Sequence, residues 1–249
     1  MMSANAIQSL DVASLGTGKP LLVAVHGIQG TRAAWVPVAT ELAANMTVML
    51  PNLRGRGDAR RGIGSKDYSL DGYAADLHDI VRSEVSEQPF VLAGWSMGVS
   101  VALEYLRRAG APKPKALILL SGSPWLAATR WFEGEGPALL ANVAAREQRL
   151  GLLEAAEHNA VAWTWEAIRH SDQRSALQYA DLPTLVLHGS ADEDSPWQHG
   201  ALLAEGIEGA ELVTLEGAGH NLLSQNTESV VSAMRRFITQ VSAPKSLRQ

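Results

Sequence analysis

Leu21-Leu22-Val23-Ala24-Val25 is an unbroken apolar run that stops at His26-Gly27, and it limits the possible folds more than any other stretch of the chain. A strand with one wet face alternates polar and apolar residues. One that is apolar at every position is buried on both faces, as in a parallel sheet covered by helices above and below. Further strand-like runs lie at 46–50, stopped by Pro51, and at 90–93 and 116–120, and the less uniformly apolar stretches 184–188 and 211–215 continue the series. Stretches with helical apolar spacing lie between them, at 35–44, 70–85 and 97–108. In 70–85, Leu70, Tyr73, Ala74, Leu77, Ile80 and Val81 share one face with acidic residues opposite. A terminal helix is expected at about 222–241. Strands alternating with helices predict an α/β fold, with a mostly parallel sheet and helices on both faces.

The rhythm breaks between Ser123 and Asp181. Two helices, 137–154 and 157–179, and no strand are expected there. The segment 124–181 reads as a small helical cap inserted after the sixth strand, with 1–123 and 182–249 forming the core. Loops and insertions at the carboxyl edge of such a sheet usually line the site. There are no internal repeats, and 242–249 reads as a frayed tail.

The run 90–93 leads into Gly94-Trp95-Ser96-Met97-Gly98 and then a helix. This is the G-x-S-x-G nucleophile elbow in its expected strand-turn-helix context. The tight turn strains the serine backbone, and glycines remove the Cβ atoms that would collide. Ser96 Oγ is thereby presented at the tip of the sheet, and the Met97 N–H lies at a helix start that favours an anion.

A serine hydroxyl needs a histidine to take its proton, and that histidine needs a carboxylate to fix its tautomer. In such sheets the partners follow in the order serine, acid, histidine, each after a strand. Gly189-Ser190-Ala191-Asp192-Glu193-Asp194-Ser195-Pro196 follows one strand and offers Asp192 as the acid. Asp194 is the rival, although it fits a helix-capping role before Pro196. Glu193 is expected to face solvent. Gly217-Ala218-Gly219-His220 follows the last strand and supplies the base, His220. The other histidines, including His26 and His188 at strand ends, read as backbone-bonded or surface groups. An oxyanion hole needs two N–H donors. Met97 supplies one, and Ile28, in His26-Gly27-Ile28-Gln29-Gly30, is the expected second.

The exclusions are simple. With no cysteine there is no disulfide, thiolate metal site or cysteine nucleophile, and a net charge of −5 over 249 residues leaves no nucleic-acid footprint. No run approaches the roughly 18 apolar residues of a membrane span. Residues 1–11 lack a basic start followed by an apolar core, so no secretory leader is read and a cytoplasmic location is expected.

Taken together, His26-Gly27, Asn52-Leu53-Arg54-Gly55-Arg56-Gly57, the elbow, Gly189-Ser190-Ala191-Asp192 and Gly217-Ala218-Gly219-His220 resemble the α/β-hydrolase superfamily in motif and order. The resemblance spans essentially the whole chain and is closest to small carboxylesterases such as the pimeloyl-carrier methyl ester esterases. Similar scaffolds serve enol-lactonases and cofactor-free perhydrolases. It implies Ser96 as nucleophile, His220 as base, Asp192 as acid, Ile28 and Met97 as oxyanion donors, and no requirement for a metal or organic cofactor. A serine at the nucleophile position speaks against haloalkane dehalogenase and epoxide hydrolase chemistry. Two positions depart from the pattern: Val99 stands where many relatives have a second glycine, and Asp58 where serine is more usual.

The expected substrate is a small-molecule ester or lactone, or a thioester, with a small to medium apolar acyl group. Trp95 beside the elbow and Trp125 and Trp163 in the insertion are the pocket candidates, against the simpler reading that they pack the cap onto the sheet. Trp35 is expected in the core. Arg130, Arg146, Arg149, Arg169 and Arg174, interleaved with glutamates, read mostly as a solvated helix face. Lyase or cofactor-free oxygenase chemistry using His220 as a base, or a slow-turnover ligand receptor, are the competing functions. Oligomeric state is not legible.

Overall fold

The computed structural model describes residues 10–243. The leader reading at 1–9 and the tail reading at 244–249 lie outside the described residues. Seven strands form one sheet: β1 (Val12–Leu15), β2 (Leu21–Val25), β3 (Thr47–Pro51), β4 (Phe90–Trp95), β5 (Ala116–Leu120), β6 (Thr184–Gly189) and β7 (Glu211–Leu215), in the order β1-β3-β2-β4-β5-β6-β7. All neighbours are parallel except β1, which lies antiparallel on β3.

The continuous apolar runs are explained by two cores. Leu21, Val23 and Val25 of β2 enter one cluster, while Leu22 and Ala24 enter another on the opposite face. The second cluster is closed by α1 (Val36–Leu42), α7 (Leu222–Gln225) and α8 (Thr227–Ser242), and Trp35 is fully buried in it. The first is closed by α2 (Leu70–Ile80), α3 (Met97–Arg107), α6 (Trp197–Gly206) and the segment between β5 and β6. Burying each leucine or valine side chain stabilises the fold by about 1.5–3 kcal/mol.

Several expectations need correction. β1 is not marked by the sequence, because a short, half-buried edge strand carries no continuous apolar run. The insertion follows the fifth strand, not the sixth. Its first helix, α4 (Gly136–Leu150), ends four residues before the expected 154, where Gly151 adopts φ 56 as a left-handed cap. Its second, α5 (His158–Ile168), stops well short of 179. There the backbone pairs with the start of the insertion instead: Leu126 N–H donates to Ser171 O, and Gln173 N–H to Pro124 O. The terminal helix is interrupted at Asn226, and Ser242, read as tail, is the last residue of α8. Asp76 does not face water with Asp71 and Asp79; it is buried and holds Arg54 Nε at 2.6 Å.

Three close approaches set the geometry at the carboxyl edge. A Cβ on Gly94 would lie 2.4 Å from the Gly98 carbonyl, and one on Gly98 would lie 2.4 Å from Val25 O. The helix after the elbow therefore rests directly on backbone. A Cβ on Gly122 would lie 2.3 Å from Val99 Cγ2, so the branched side chain at 99 fills the space above the loop after β5. Among the described residues, no helix is long and apolar enough to cross a membrane.

Candidate active site

The elbow forms as its glycines require. Ser96 sits at φ 56, ψ −119, a conformation that costs a non-glycine residue on the order of 1–3 kcal/mol and persists only where the surroundings enforce it. The Gly94 and Gly98 contacts do so, and Ser96 N–H is tied to Leu120 O at 2.8 Å.

The three residues singled out after β4, β6 and β7 meet. His220 Nε2 lies 2.9 Å from Ser96 Oγ, and His220 Nδ1 lies 3.0 and 2.9 Å from the two Asp192 carboxylate oxygens. Since a carboxylate only accepts, Nδ1 carries the hydrogen of the neutral ring and Nε2 turns its lone pair to the hydroxyl. Asp192 Oδ1 also accepts the N–H groups of Asp194 at 3.0 Å and Ser195 at 2.8 Å, which anchors the carboxylate. All three side chains are buried, Ser96 to 1 % exposure. Trp95 lies beside His220: its Nε1 donates to His220 O at 3.1 Å, with the rings 5.7 Å apart.

Asp194 is not the partner of His220 and does not cap α6, whose preceding Pro196 has no side-chain capping bond. It is buried in an ion pair with Arg146 Nε at 2.9 Å and Arg149 Nη2 at 2.7 Å. Burial pushes its carboxyl up, but His220 and the two guanidinium groups outweigh this and hold it well below the usual range. Arg146 is thus no solvated helix residue. It is 4 % exposed, donates to Gln29 Oε1 at 2.6 Å and stands 5.1 Å from the Phe132 ring. Glu193 is exposed, as expected.

Ile28, in the loop after β2, and the elbow residue Met97 are both buried in the first core, and no hydrogen bond takes up either amide among the described residues. His26, two residues before Ile28, is a neutral ring. Its Nε2 accepts Leu53 N–H at 3.1 Å and its Nδ1 donates to Gly27 O at 2.9 Å. Burial, and then the Arg56 charge, push its pKa down to about 3 against the pull of the Gly27 carbonyl. His188 donates from Nε2 to Ser195 O at 2.6 Å and lies 3.5 Å from Asp192 Oδ2, bracing the acid loop.

The insertion reaches these loops directly. Gln29 Nε2 donates to Val143 O at 2.8 Å, Ala156 N–H to Gln29 O at 2.8 Å, and Asn221 Nδ2 to Leu150 O at 2.9 Å. Trp131 Nε1 donates to Ser195 Oγ at 3.1 Å. Of the expected pocket residues, Trp163 packs on Tyr68 at 5.9 Å, and the Trp125 ring lies 4.1 Å from the Arg174 guanidinium. His188 is backbone-bonded, as its strand-end position predicts, with partners four and seven residues away. Arg146 and Gln29 are not expected as supports, because their partners lie 48 to 117 residues away in the chain.

Donor atoms of Asp192, Asp194 and His220 lie within 4.8 Å of one another, close enough to consider a metal. The carboxylates are already engaged, however, Asp192 by N–H donors and Asp194 by two guanidinium groups.

A model of the alpha/beta hydrolase family matches residues 22–233. The chain is 28% identical to a pimeloyl-[acyl-carrier protein] methyl ester esterase of Aeromonas salmonicida, covering 92% of this chain and 99% of that one. It is 26% identical to a putative non-heme chloroperoxidase of Synechocystis sp., covering 90% and 92%. A thermophilic esterase from Thermogutta terrifontis superposes with a TM-score of 0.72 at 26% identity, over 94% of each chain.

Proposed function

The chain belongs to the alpha/beta hydrolase family, and we propose that it is a serine hydrolase cleaving carboxylic esters, lactones or thioesters through an acyl-enzyme on Ser96. The observation that carries this reading is the unbroken series of contacts from Ser96 Oγ through His220 to Asp192. His220 Nε2 takes the hydroxyl proton as Oγ attacks the carbonyl carbon. The carbonyl oxygen becomes an oxyanion, held by the Ile28 and Met97 N–H groups. His220 then returns the proton to the leaving alcohol or thiol as the carbonyl re-forms. In the second half, His220 deprotonates a water that attacks the acyl-enzyme, and Ser96 leaves with the proton. Asp192 keeps the hydrogen on Nδ1 and stabilises the imidazolium. No step needs a metal or organic cofactor.

The segment 124–181 acts in this reading as the cap. Its Trp131, Phe132, Leu139 and Val143 belong to the same apolar cluster as Ile28 and Met97, which supports an apolar acyl group on that side. Trp95 serves as a support for His220, Trp163 packs the cap on Tyr68 of the core, and Trp125 stacks with Arg174 inside the cap. The esterase names among the relatives agree with ester substrates.

The test is Ser96→Ala on a series of p-nitrophenyl acyl esters, with fluorophosphonate labelling of the wild type read by mass spectrometry. Turnover and labelling at Ser96 are expected, and both should vanish in the variant. Ester turnover that survives the substitution would leave His220 acting as a base without an acyl-enzyme, and the proposal would fall.

A further inference from the structure

The geometry points to Arg56 as a positioning residue of this reaction: a buried guanidinium without a carboxylate partner, it holds the Ile28 peptide and sets a positive charge behind the oxyanion loop. The inference rests on the serine-hydrolase reading above. Arg56 is 0 % exposed, in the loop after β3. Its neighbours Arg54 and Arg60 share the carboxylate of Asp76. No carboxylate oxygen comes within 4.0 Å of Arg56 itself among the described residues. Every acceptor it finds is neutral. Nη2 donates to Ile28 O; Nη1 donates to Arg54 O at 3.0 Å, to Tyr73 OH and, at 3.4 Å, to Thr164 Oγ1. Nε is buried without an acceptor. Tyr73 does not act as a hidden counter-ion, because burial raises its pKa despite the adjacent guanidinium.

An unpaired charge is expensive to desolvate. Its position here suits charge that appears only during the reaction. Ile28 contributes an amide to the oxyanion and gives its carbonyl to Arg56, so the cation restrains the residue that must meet the developing negative charge. The fork is braced from the far side. Tyr73 OH on α2 and Thr164 Oγ1 on α5 are 2.7 Å apart, and Thr164 is itself bonded to Ala160 O at 2.6 Å. The field reaches the start of the same loop, where Arg56 helps keep His26 neutral.

The full-length wild type is compared with R56M and R56K for kcat and KM on a p-nitrophenyl ester, for the second-order rate of fluorophosphonate labelling, and for thermal midpoint. R56M is expected to lower kcat and the labelling rate by at least about tenfold with KM within about threefold, and R56K to recover part of the loss. A kcat in R56M within about twofold of wild type overturns the assignment. So does a parallel loss of kcat, KM and thermal midpoint that R56K does not relieve, the signature of a purely structural residue. If R56M does not fold, R56Q, uncharged and still a donor, is read by the same criteria. A wild type that resists labelling overturns the serine reading itself, and this inference with it. A labelled wild type with an unimpaired R56M overturns this inference alone.

Discussion

Taking the wild type and a His26→Gln variant from pH 7.5 to pH 5 should change their stability difference by about 2 kcal/mol, at the expense of the wild type. His26 uses both ring nitrogens as a neutral group, Nε2 accepting from Leu53 and Nδ1 donating to Gly27. A second proton would have to sit on Nε2, which already faces an N–H donor. In the unfolded chain the ring takes that proton near its ordinary 6.5, whereas in the native protein it holds out to about 3. Between these values the unfolded state binds one more proton, so stability falls as pH falls, by about 1.4 kcal/mol per unit. At pH 5 the chain is about 1.5 units below the unfolded value, hence about 2 kcal/mol. Glutamine keeps an acceptor for Leu53 and does not titrate. His188 and His199, both also pushed down chiefly by burial, are common to the two proteins and cancel. Urea unfolding followed by tryptophan fluorescence at each pH gives the double difference. If the two proteins lose stability in parallel, to within about 0.5 kcal/mol, His26 is not the neutral buried ring described.

Asp192→Asn should lower kcat on a p-nitrophenyl ester by roughly 10³–10⁴-fold, because an amide in that place can stabilise the wrong imidazole tautomer. Steady-state rates that survive this change but collapse in Asp194→Asn would transfer the acid role to Asp194. Arg146→Met leaves Asp194 buried with only the half-exposed Arg149 and should cost about 3–5 kcal/mol in urea unfolding. The double variant Arg146→Met/Asp194→Leu should regain most of that loss, and a single-variant cost below about 1 kcal/mol would contradict a buried pair.

What could be read from residues alone follows from how local each signal is. β2, β4, β5 and β6 are continuous apolar runs with both faces buried, so composition alone marks them. β1 is a four-residue edge strand whose stability comes from hydrogen bonds to β3, and nothing in Val12–Leu15 announces it. Ser96, Asp192 and His220 were legible because each follows a strand in fixed order, and their convergence depends only on parallel strands ending at one edge. Asp194 reads as a cap because its partner Arg146 is 48 residues upstream, on α4, out of reach of any local pattern. No local pattern distinguishes that arginine from the exposed Arg149 one turn later. The premature end of α5 has the same origin, since residues 171–173 satisfy backbone groups at 124–127 instead of continuing a helix.

The crowding between Val99 and Gly122 gives the lineage of this chain a direction. With valine on the helix, the neighbouring loop is barred from gaining any side chain at 122. A descendant could enlarge that loop only after position 99 had first shrunk, and a descendant that took the steps in the opposite order would pass through a clash of non-bonded carbons. A side chain should therefore occur at 122 only where position 99 carries a smaller residue, wherever the elbow helix and the loop after β5 keep their present spacing.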